Sequence, residues 1–299
     1  MKPVWKGIFP ALSTPTNVKG ELDERSLRLE VSSNIKWGAH GLAVSIIAGE
    51  FYKFTESERL RAFEIVVDEA NGRVPVLAGI SHSGTEPAIM MAKHAKNVGA
   101  DGLIVMPPYF KKRISRLEIS EHFREIAGKT DLPIMIQDAE DAIGVHMCPT
   151  FYWSLADEFS NIVSVKVEGG DTLQKISDIK RLLGDRLIIF GGMAARLLFQ
   201  ELALGASGNI PDACLTDLLV KVYDCIQSGK MEEAEEVFSK YKQWLDFLSS
   251  HPAASAEIEK ETLRLRGVIE CSQTRGPRVP LNQKEKDELK KILMRIGVI

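Results

Sequence analysis

Residues 7–16 read Gly7-Ile8-Phe9-Pro10-Ala11-Leu12-Ser13-Thr14-Pro15-Thr16, and this stretch decides between two folds. Residues 7–12 are an apolar run of strand length without polar alternation, which suits a strand buried on both faces of a parallel sheet. Similar runs rich in Val, Ile and Leu follow at 41–47, 74–79, 102–106, 132–137, 162–167, 187–191 and 207–210. Helical spacing of apolar residues fills the gaps at 56–69, 86–98, 117–127, 172–183, 194–204 and 215–226. Strand and helix alternate about every 20–35 residues, which demands parallel strands with crossover helices. A doubly wound sheet would carry a glycine fingerprint such as GxGxxG after its first strand. Here that strand runs into Ser13-Thr14-Pro15-Thr16, so the α/β fold expected is a (β/α)8 TIM barrel.

Residues 1–228 are thus expected to form the catalytic barrel, and 229–299 a helical region. Beyond 228 the strand pattern stops, and 231–249, 254–269 and 282–296 read as a three-helix appendage joined by a two-proline connector at 275–280. Thr55-Glu56-Ser57-Glu58 reads as a capping box, in which hydroxyl and carboxylate satisfy two N–H groups of the first turn.

The chain has 299 residues, 44% hydrophobic and 26% charged, with a net charge of −3. That balance offers no basic footprint for nucleic acid. No apolar run reaches the roughly 18 residues of a membrane span, and residues 1–5 lack a signal-peptide pattern. The four cysteines, at 148, 214, 225 and 271, form no CxxC pair and read as reduced thiols of a cytoplasmic protein.

A barrel places its chemistry at the C-terminal ends of its strands. One residue stands out there: Lys166, inside the apolar run Ile162-Val163-Ser164-Val165-Lys166-Val167, where alternation puts it on a face with Ser164 and Ile162. Burying an ammonium is costly and favours the neutral amine. A desolvated amine can attack a carbonyl and form a Schiff base. The competing readings are a lysine snorkelling at the strand end, or one paired with a carboxylate such as Glu168.

The chain resembles the dihydrodipicolinate synthase / N-acetylneuraminate lyase family of Schiff-base aldolases and dehydratases over nearly its whole length. The resemblance is carried by Gly7-Ile8-Phe9-Pro10-Ala11-Leu12 with Thr14-Pro15, by Ala48-Gly49-Glu50, by Pro75-Val76-Leu77-Ala78-Gly79, by Gly99-Ala100-Asp101-Gly102 through Pro108-Tyr109, by Lys166 with Gly191, by Gly205-Ala206-Ser207-Gly208, and by 275–281. It implies that Lys166 forms the imine, that Ala48, Gly49, Glu50, Gly191 and Ile210 bind substrate, and that Tyr109 and the strand-five residues Gln137 and Asp138 are catalytic. It further implies a small-molecule 2-oxo acid as substrate, no cofactor beyond the covalent imine, no metal, and a homotetramer built as a dimer of dimers.

Several family positions depart from the pattern. The hydroxyl pair that helps to hold the substrate carboxylate is replaced by Ile47 and Ala48, with Ser45 and Ser13 nearby in sequence. The strand-five tyrosine is Gln137, and an amide has no useful pKa for acid–base work. The distal arginine is Ala142, and the second tyrosine after strand four is Phe110. These changes speak against dihydrodipicolinate synthesis. Three readings stay open: dehydration of a 2-keto-3-deoxy sugar acid such as 2-keto-3-deoxyarabonate, aldol cleavage of an unusual 2-oxo acid, and a decayed barrel that only binds. For dehydration, Asp138, Glu168, Tyr109, His82 or a water could carry protons.

Other residues have bland alternatives. Glu50 also reads as a structural carboxylate pinning its loop, Tyr109 as an interface residue, and His82 as an exposed loop side chain. Asp138, Glu140 and Asp141 read as a solvated loop or as a cluster that repels acidic distal groups. His146 near Cys148 lacks a third metal ligand, and Trp244 and Phe247 suit packing.

Overall fold

The structure, a computed structural model, describes residues 3–109 and 114–299. Phe110 lies outside the described residues.

Eight strands form one parallel sheet: β1 (Gly7–Ile8), β2 (Leu42–Val44), β3 (Val76–Gly79), β4 (Gly102–Val105), β5 (Ile134–Ala139), β6 (Ile162–Glu168), β7 (Ile188–Gly191) and β8 (Gly208–Asn209). Their order is β1-β8-β7-β6-β5-β4-β3-β2. The circle closes just beyond β1: Ala11 bridges Ala43, Leu12 N–H donates to Ala43 O at 2.8 Å, and Ala43 N–H donates to Pro10 O at 3.0 Å. The expected (β/α)8 barrel is present.

The first two strands are shorter than their apolar runs. Pro10 has no N–H and interrupts the β1 ladder, which resumes at Ala11. β2 ends at Val44, and the next residue, Ser45, has a φ of +56° that turns the chain away. The seam between β1 and β8 is close: a Cβ on Gly208 would stand 1.9 Å from Gly7 O, so only glycine fits.

Two apolar layers hold the barrel. Phe9, Ala43, Leu77, Ile104, Met135, Val163 and Phe190 fill the interior, with Phe9 and Phe190 edge-on at 5.2 Å between ring centres. Val44, Ala78, Leu103, Ile136, Val165 and Val167 face outward and pack against helix residues such as Phe63, Met91, Phe123 and Ile176. Both faces are therefore buried, as continuous apolar strands require.

The capping box forms at the helix Glu56–Ala70, with Thr55 N–H donating to Glu58 Oε2 at 2.9 Å. The expected helix 194–204 is instead a 3-10 turn, Met193–Ala195, followed by the short helix Leu198–Ala203. Two further helices, Glu24–Lys36 and Pro149–Glu158, also belong to the outer layer.

The last three helices, Met231–Ser250, Ser255–Leu265 and Gln283–Ile296, share one apolar cluster with the helix Thr216–Gln227, Leu198 and Ile8 of β1. Trp244 is fully buried there and donates to Thr262 Oγ1 at 3.0 Å. No helix among the described residues is long and apolar enough to cross a membrane.

Candidate active site

A bulge aims the key lysine. Between β5 and β6 the register steps from Ile134↔Ile162 to Met135↔Ser164, leaving Val163 as an extra residue. Ile162 lies in the outer layer while Val163 enters the barrel interior. Beyond the bulge, Val165 and Val167 point outward. Lys166 thus shares its inner face with Ser164 and Glu168, and not with Ile162 as simple alternation suggested.

Lys166 is 4% exposed at its side chain, and its Nζ lies 2.9 Å from Glu168 Oε2. Gln137, the register partner of Lys166, donates from Nε2 to the same oxygen at 2.9 Å. Met193 N–H donates to Glu168 Oε1 at 3.2 Å. Burial works to raise the Glu168 pKa, but the Lys166 charge and the hydrogen bonds from Lys166, Gln137 and Met193 outweigh it. The carboxyl is held below its ordinary value.

Lys166, Glu168 and Met193 line a cavity of about 280 Å³ at the C-terminal end of the barrel. Ile47, Ala48, Ala139, Asp141, Ala142, Ile210 and Asp212 complete most of its wall. Met193 and Ala194 line it from a turn in which Met193, Ala194 and Ala195 all have φ above +50°. Such a left-handed run of non-glycine residues is strained. Ala195 N–H donates to Gly192 O at 2.9 Å, and Tyr241 of the tail donates to Ala194 O at 2.7 Å, so the surrounding structure holds the turn. Ser255, first residue of the tail helix Ser255–Leu265, also lines the cavity.

More carboxyls surround this wall. Asp212, just past β8, is pushed up to about 6 by burial, with the Lys166 charge pulling it down and the Glu168 charge pushing it up. Glu201 packs under Gly191, where a Cβ would stand 2.0 Å from Glu201 Oε2. Burial pushes it up to about 7, against hydrogen bonding from Asn209 and the Gly192 backbone, with the Glu168 charge pushing the same way as burial. Glu259, from the tail helix, lies behind Asp212 and accepts from Ala213 N–H at 3.0 Å. Burial and the nearby Asp212 raise it well above the carboxylate range.

The structure brings Lys166, Ala48 and Ile210 into the cavity wall, with Gln137 behind Glu168. It separates the others. Asp138 is in register with outward-facing Val167, and its carboxylate joins the Lys175 ammonium at 2.7 Å and the Tyr152 hydroxyl in the strand–helix layer. Tyr109 packs edge-on against Phe51, in a small cluster with Met106 and Ala139. Glu50, at φ +55°, pairs with Lys53 at 2.6 Å and Lys260 at 2.8 Å, so it pins its loop to the tail through lysines and not through N–H groups. Gly49 leaves room for Leu12 O and its own carbonyl accepts from Thr14. Gly191 leaves room for Glu201. Ser13 is engaged with Glu30 at 2.7 Å, and Ser45 does not line the cavity. His82 pairs with Glu56 at 3.2 Å, and His146 with Glu140 at 2.9 Å. Among the described residues no cluster of three or more His, Cys, Asp or Glu is arranged for a metal.

Sequence reasoning assigned no role to Asp212, Glu201, Glu259 or Ser255. A carboxylate directly after a strand, in Pro211-Asp212, was the one signal available. Glu259 sits in Ile258-Glu259-Lys260-Glu261, a charged run that reads as solvated yet is buried throughout.

Comparison with known proteins agrees with this fold. Residues 4–296 match the Dihydrodipicolinate synthetase family. A 4-hydroxy-tetrahydrodipicolinate synthase of Geotalea uraniireducens is 32% identical, covering 99% of this chain and 100% of its own. An uncharacterized DapA-like lyase of Rhizobium meliloti is 30% identical over 97% of both chains. The dihydrodipicolinate synthase of Aquifex aeolicus superposes with a TM-score of 0.89 at 26% identity, covering 98% of this chain and 99% of that one. A similar structure, at 25% identity and TM-score 0.89 with 99% and 98% covered, is described as a monomeric dihydrodipicolinate synthase variant. With nearly every residue matched and the lysine-bearing strand in place, this chain belongs to the Dihydrodipicolinate synthetase family, a family of lyases.

Proposed function

We propose that this chain is a Schiff-base lyase that dehydrates a 2-keto-3-deoxy sugar acid, with 2-keto-3-deoxyarabonate as the example to test. The observation that carries the reading is the Lys166–Glu168 pair, 2.9 Å apart and largely buried in the cavity wall. Glu168 stands where a proton can be taken from Lys166 and then from substrate. The Lys166 amine adds to C2, and Glu168 returns its proton to the carbinolamine hydroxyl, which leaves as water, giving the protonated imine and a Glu168 carboxylate again. The imine withdraws electrons from C3, whose proton passes to Glu168. The C4 hydroxyl then departs and a C3–C4 double bond forms; loss of a C5 proton with protonation at C3 gives a C4–C5 enol, which ketonises to the C5 aldehyde, and water hydrolyses the imine to free Lys166. No C–C bond breaks, so the strand-five phenol that the resemblance leads one to expect is not needed at Gln137. Ile47 and Ala48 line the cavity, their backbone N–H groups donate no hydrogen bond within the described residues, and they are the proposed grip on the substrate carboxylate.

The lining supports a neutral polyol end. Lys166 is the one basic side chain among the described lining residues, beside Asp141, Glu168 and Asp212. A second carboxylate on the substrate would meet repulsion there. Assembly as a homotetramer and a cytoplasmic location belong to the same proposal.

Product analysis tests the reaction. Incubation with 2-keto-3-deoxyarabonate is expected to yield 2-oxoglutarate semialdehyde. Pyruvate plus glycolaldehyde would establish aldol cleavage instead, and no turnover of this or related 2-keto-3-deoxy acids would contradict the enzyme reading.

A further inference from the structure

Dehydration needs a second proton carrier, because hydroxide is a poor leaving group and the base that removes the C3 proton starts unprotonated. We infer that Asp212 is the acid that protonates the departing C4 hydroxyl, an inference that rests on the dehydratase reading above.

Four observations converge on Asp212. It lines the cavity with Lys166 and Glu168, reaching it from the end of β8 while they come from β6. The intervening strand β7 ends in Gly191 and is followed by Gly192, so neither position places a side chain between the two sides; a Cβ on Gly192 would lie 2.4 Å from Glu168 Oε1. Its backbone position is fixed, because Asp212 bridges Ala11 at the barrel seam and Ala213 N–H is held by Glu259 at 3.0 Å. Finally, Glu168 is held below its ordinary range while Asp212 is pushed up to about 6, chiefly by burial. Two carboxyls in one site with proton affinities driven apart make an acid–base pair.

The groups facing Asp212 support that division. Lys166 and Glu168 face it from β6, Glu259 from the helix Ser255–Leu265, and Cys214 and Tyr241 lie within its field. Glu201 also titrates high, but it lies beneath Gly191 and outside the lining. Glu259 lies behind Asp212, also outside the lining, where burial and the Asp212 charge raise it, and it holds the Ala213 N–H without reaching the cavity.

The proton balance closes. The C3–H bond breaks, its proton goes to Glu168 and its electron pair to the imine nitrogen through C2. The pair then returns to form the C3–C4 double bond, the C4–O bond breaks, and the hydroxyl leaves as water with the Asp212 proton. Glu168 is left protonated and Asp212 ionised. Transfer across the same cavity through that water restores both.

The test compares two leaving groups. Fluoride departs without protonation, so the 4-deoxy-4-fluoro analogue of 2-keto-3-deoxyarabonate needs Glu168 and Lys166 but no acid. In Asp212→Asn and Asp212→Ala, dehydration of the hydroxyl substrate is expected to fall about 100-fold or more. Fluoride release should stay within about threefold of wild type, on the same scale of acid–base effects. Borohydride trapping of the imine on both variants should be retained, which shows that each is folded and binds. Equal slowing of both leaving groups, unchanged dehydration, or loss of trapping in both variants overturns the acid role. If the wild-type protein traps the imine and yet dehydrates neither substrate, the dehydratase reading fails first and the acid role with it.

Discussion

Gln137 and Lys166 are register partners across β5 and β6, and both direct a nitrogen to the same atom, Glu168 Oε2, each at 2.9 Å. One carboxylate oxygen therefore receives an ammonium and an amide together. Gln137 Oε1, at the other end of that amide, is buried without a partner among the described residues. The amide thus acts on the site through Glu168 and not as an acid or base.

Glu168→Gln is expected to lower kcat about 100- to 10,000-fold while the Lys166 imine still traps. Gln137→Leu removes one hydrogen bond that holds the Glu168 carboxyl low. The folded pKa of Glu168 should rise, and the acid limb of the kcat–pH profile should move to higher pH. A profile that does not move would show that Glu168 is not the group titrating there.

Asp138 is expected to matter for stability and little for rate. Its carboxylate holds Lys175 at 2.7 Å and the Tyr152 hydroxyl on the side of β5 away from the cavity. Asp138→Asn leaves a half-paired cation in the strand–helix layer, costing about 2–4 kcal/mol. Thermal unfolding should show the loss, and kcat of the surviving protein should stay within a few fold. A large fall in kcat with normal stability would return Asp138 to the catalytic set.

Glu30 makes stability fall with rising pH. Burial pushes it up to about 7 from 4.5, against two hydrogen bonds from Ser13 and the charge of Lys260. With the folded value above the unfolded one, the folded state binds the extra proton between them. Its contribution is complete below about pH 4.5 and is lost as pH rises toward 7, on the order of 3 kcal/mol in all. Glu30→Gln should flatten the decline in Tm between pH 5 and 8. An unaltered slope would place that titration elsewhere.

Arg275 ties the tail connector to the barrel with the opposite sign. Its guanidinium grips both oxygens of Glu58, at 2.5 and 2.8 Å, and holds that carboxyl down at about 2. This contribution is present above the ordinary carboxylate value and is lost as pH falls toward 2. Arg275→Ala should cost about 1–2 kcal/mol near pH 7, read as a lower Tm, and the gap to wild type should close by about pH 2.

The barrel was legible because its strands are apolar on both faces, and Lys166 because it interrupts one of them. What was not legible has specific causes. The helix Glu24–Lys36 hides its period because Ser26, Glu30 and Asn34 are among its buried positions. The face that Lys166 shares with Ser164 and not with Ile162 depends on the Val163 bulge, which sequence alternation does not announce. Ser45 and the Met193–Ala195 turn take left-handed backbone without glycine, so no residue type marks them. Glu259 and Lys260 look like surface charge until the tail helix is seen packed behind the barrel seam, where Lys260 meets Glu50.

The account rests on Lys166 forming the imine. Incubating the protein with 2-keto-3-deoxyarabonate, or with pyruvate, adding borohydride and weighing the intact chain tests this directly. The prediction is one reduced adduct per chain in the wild-type protein and none in Lys166→Ala. An absent adduct in wild type, or one that persists in Lys166→Ala, would contradict it.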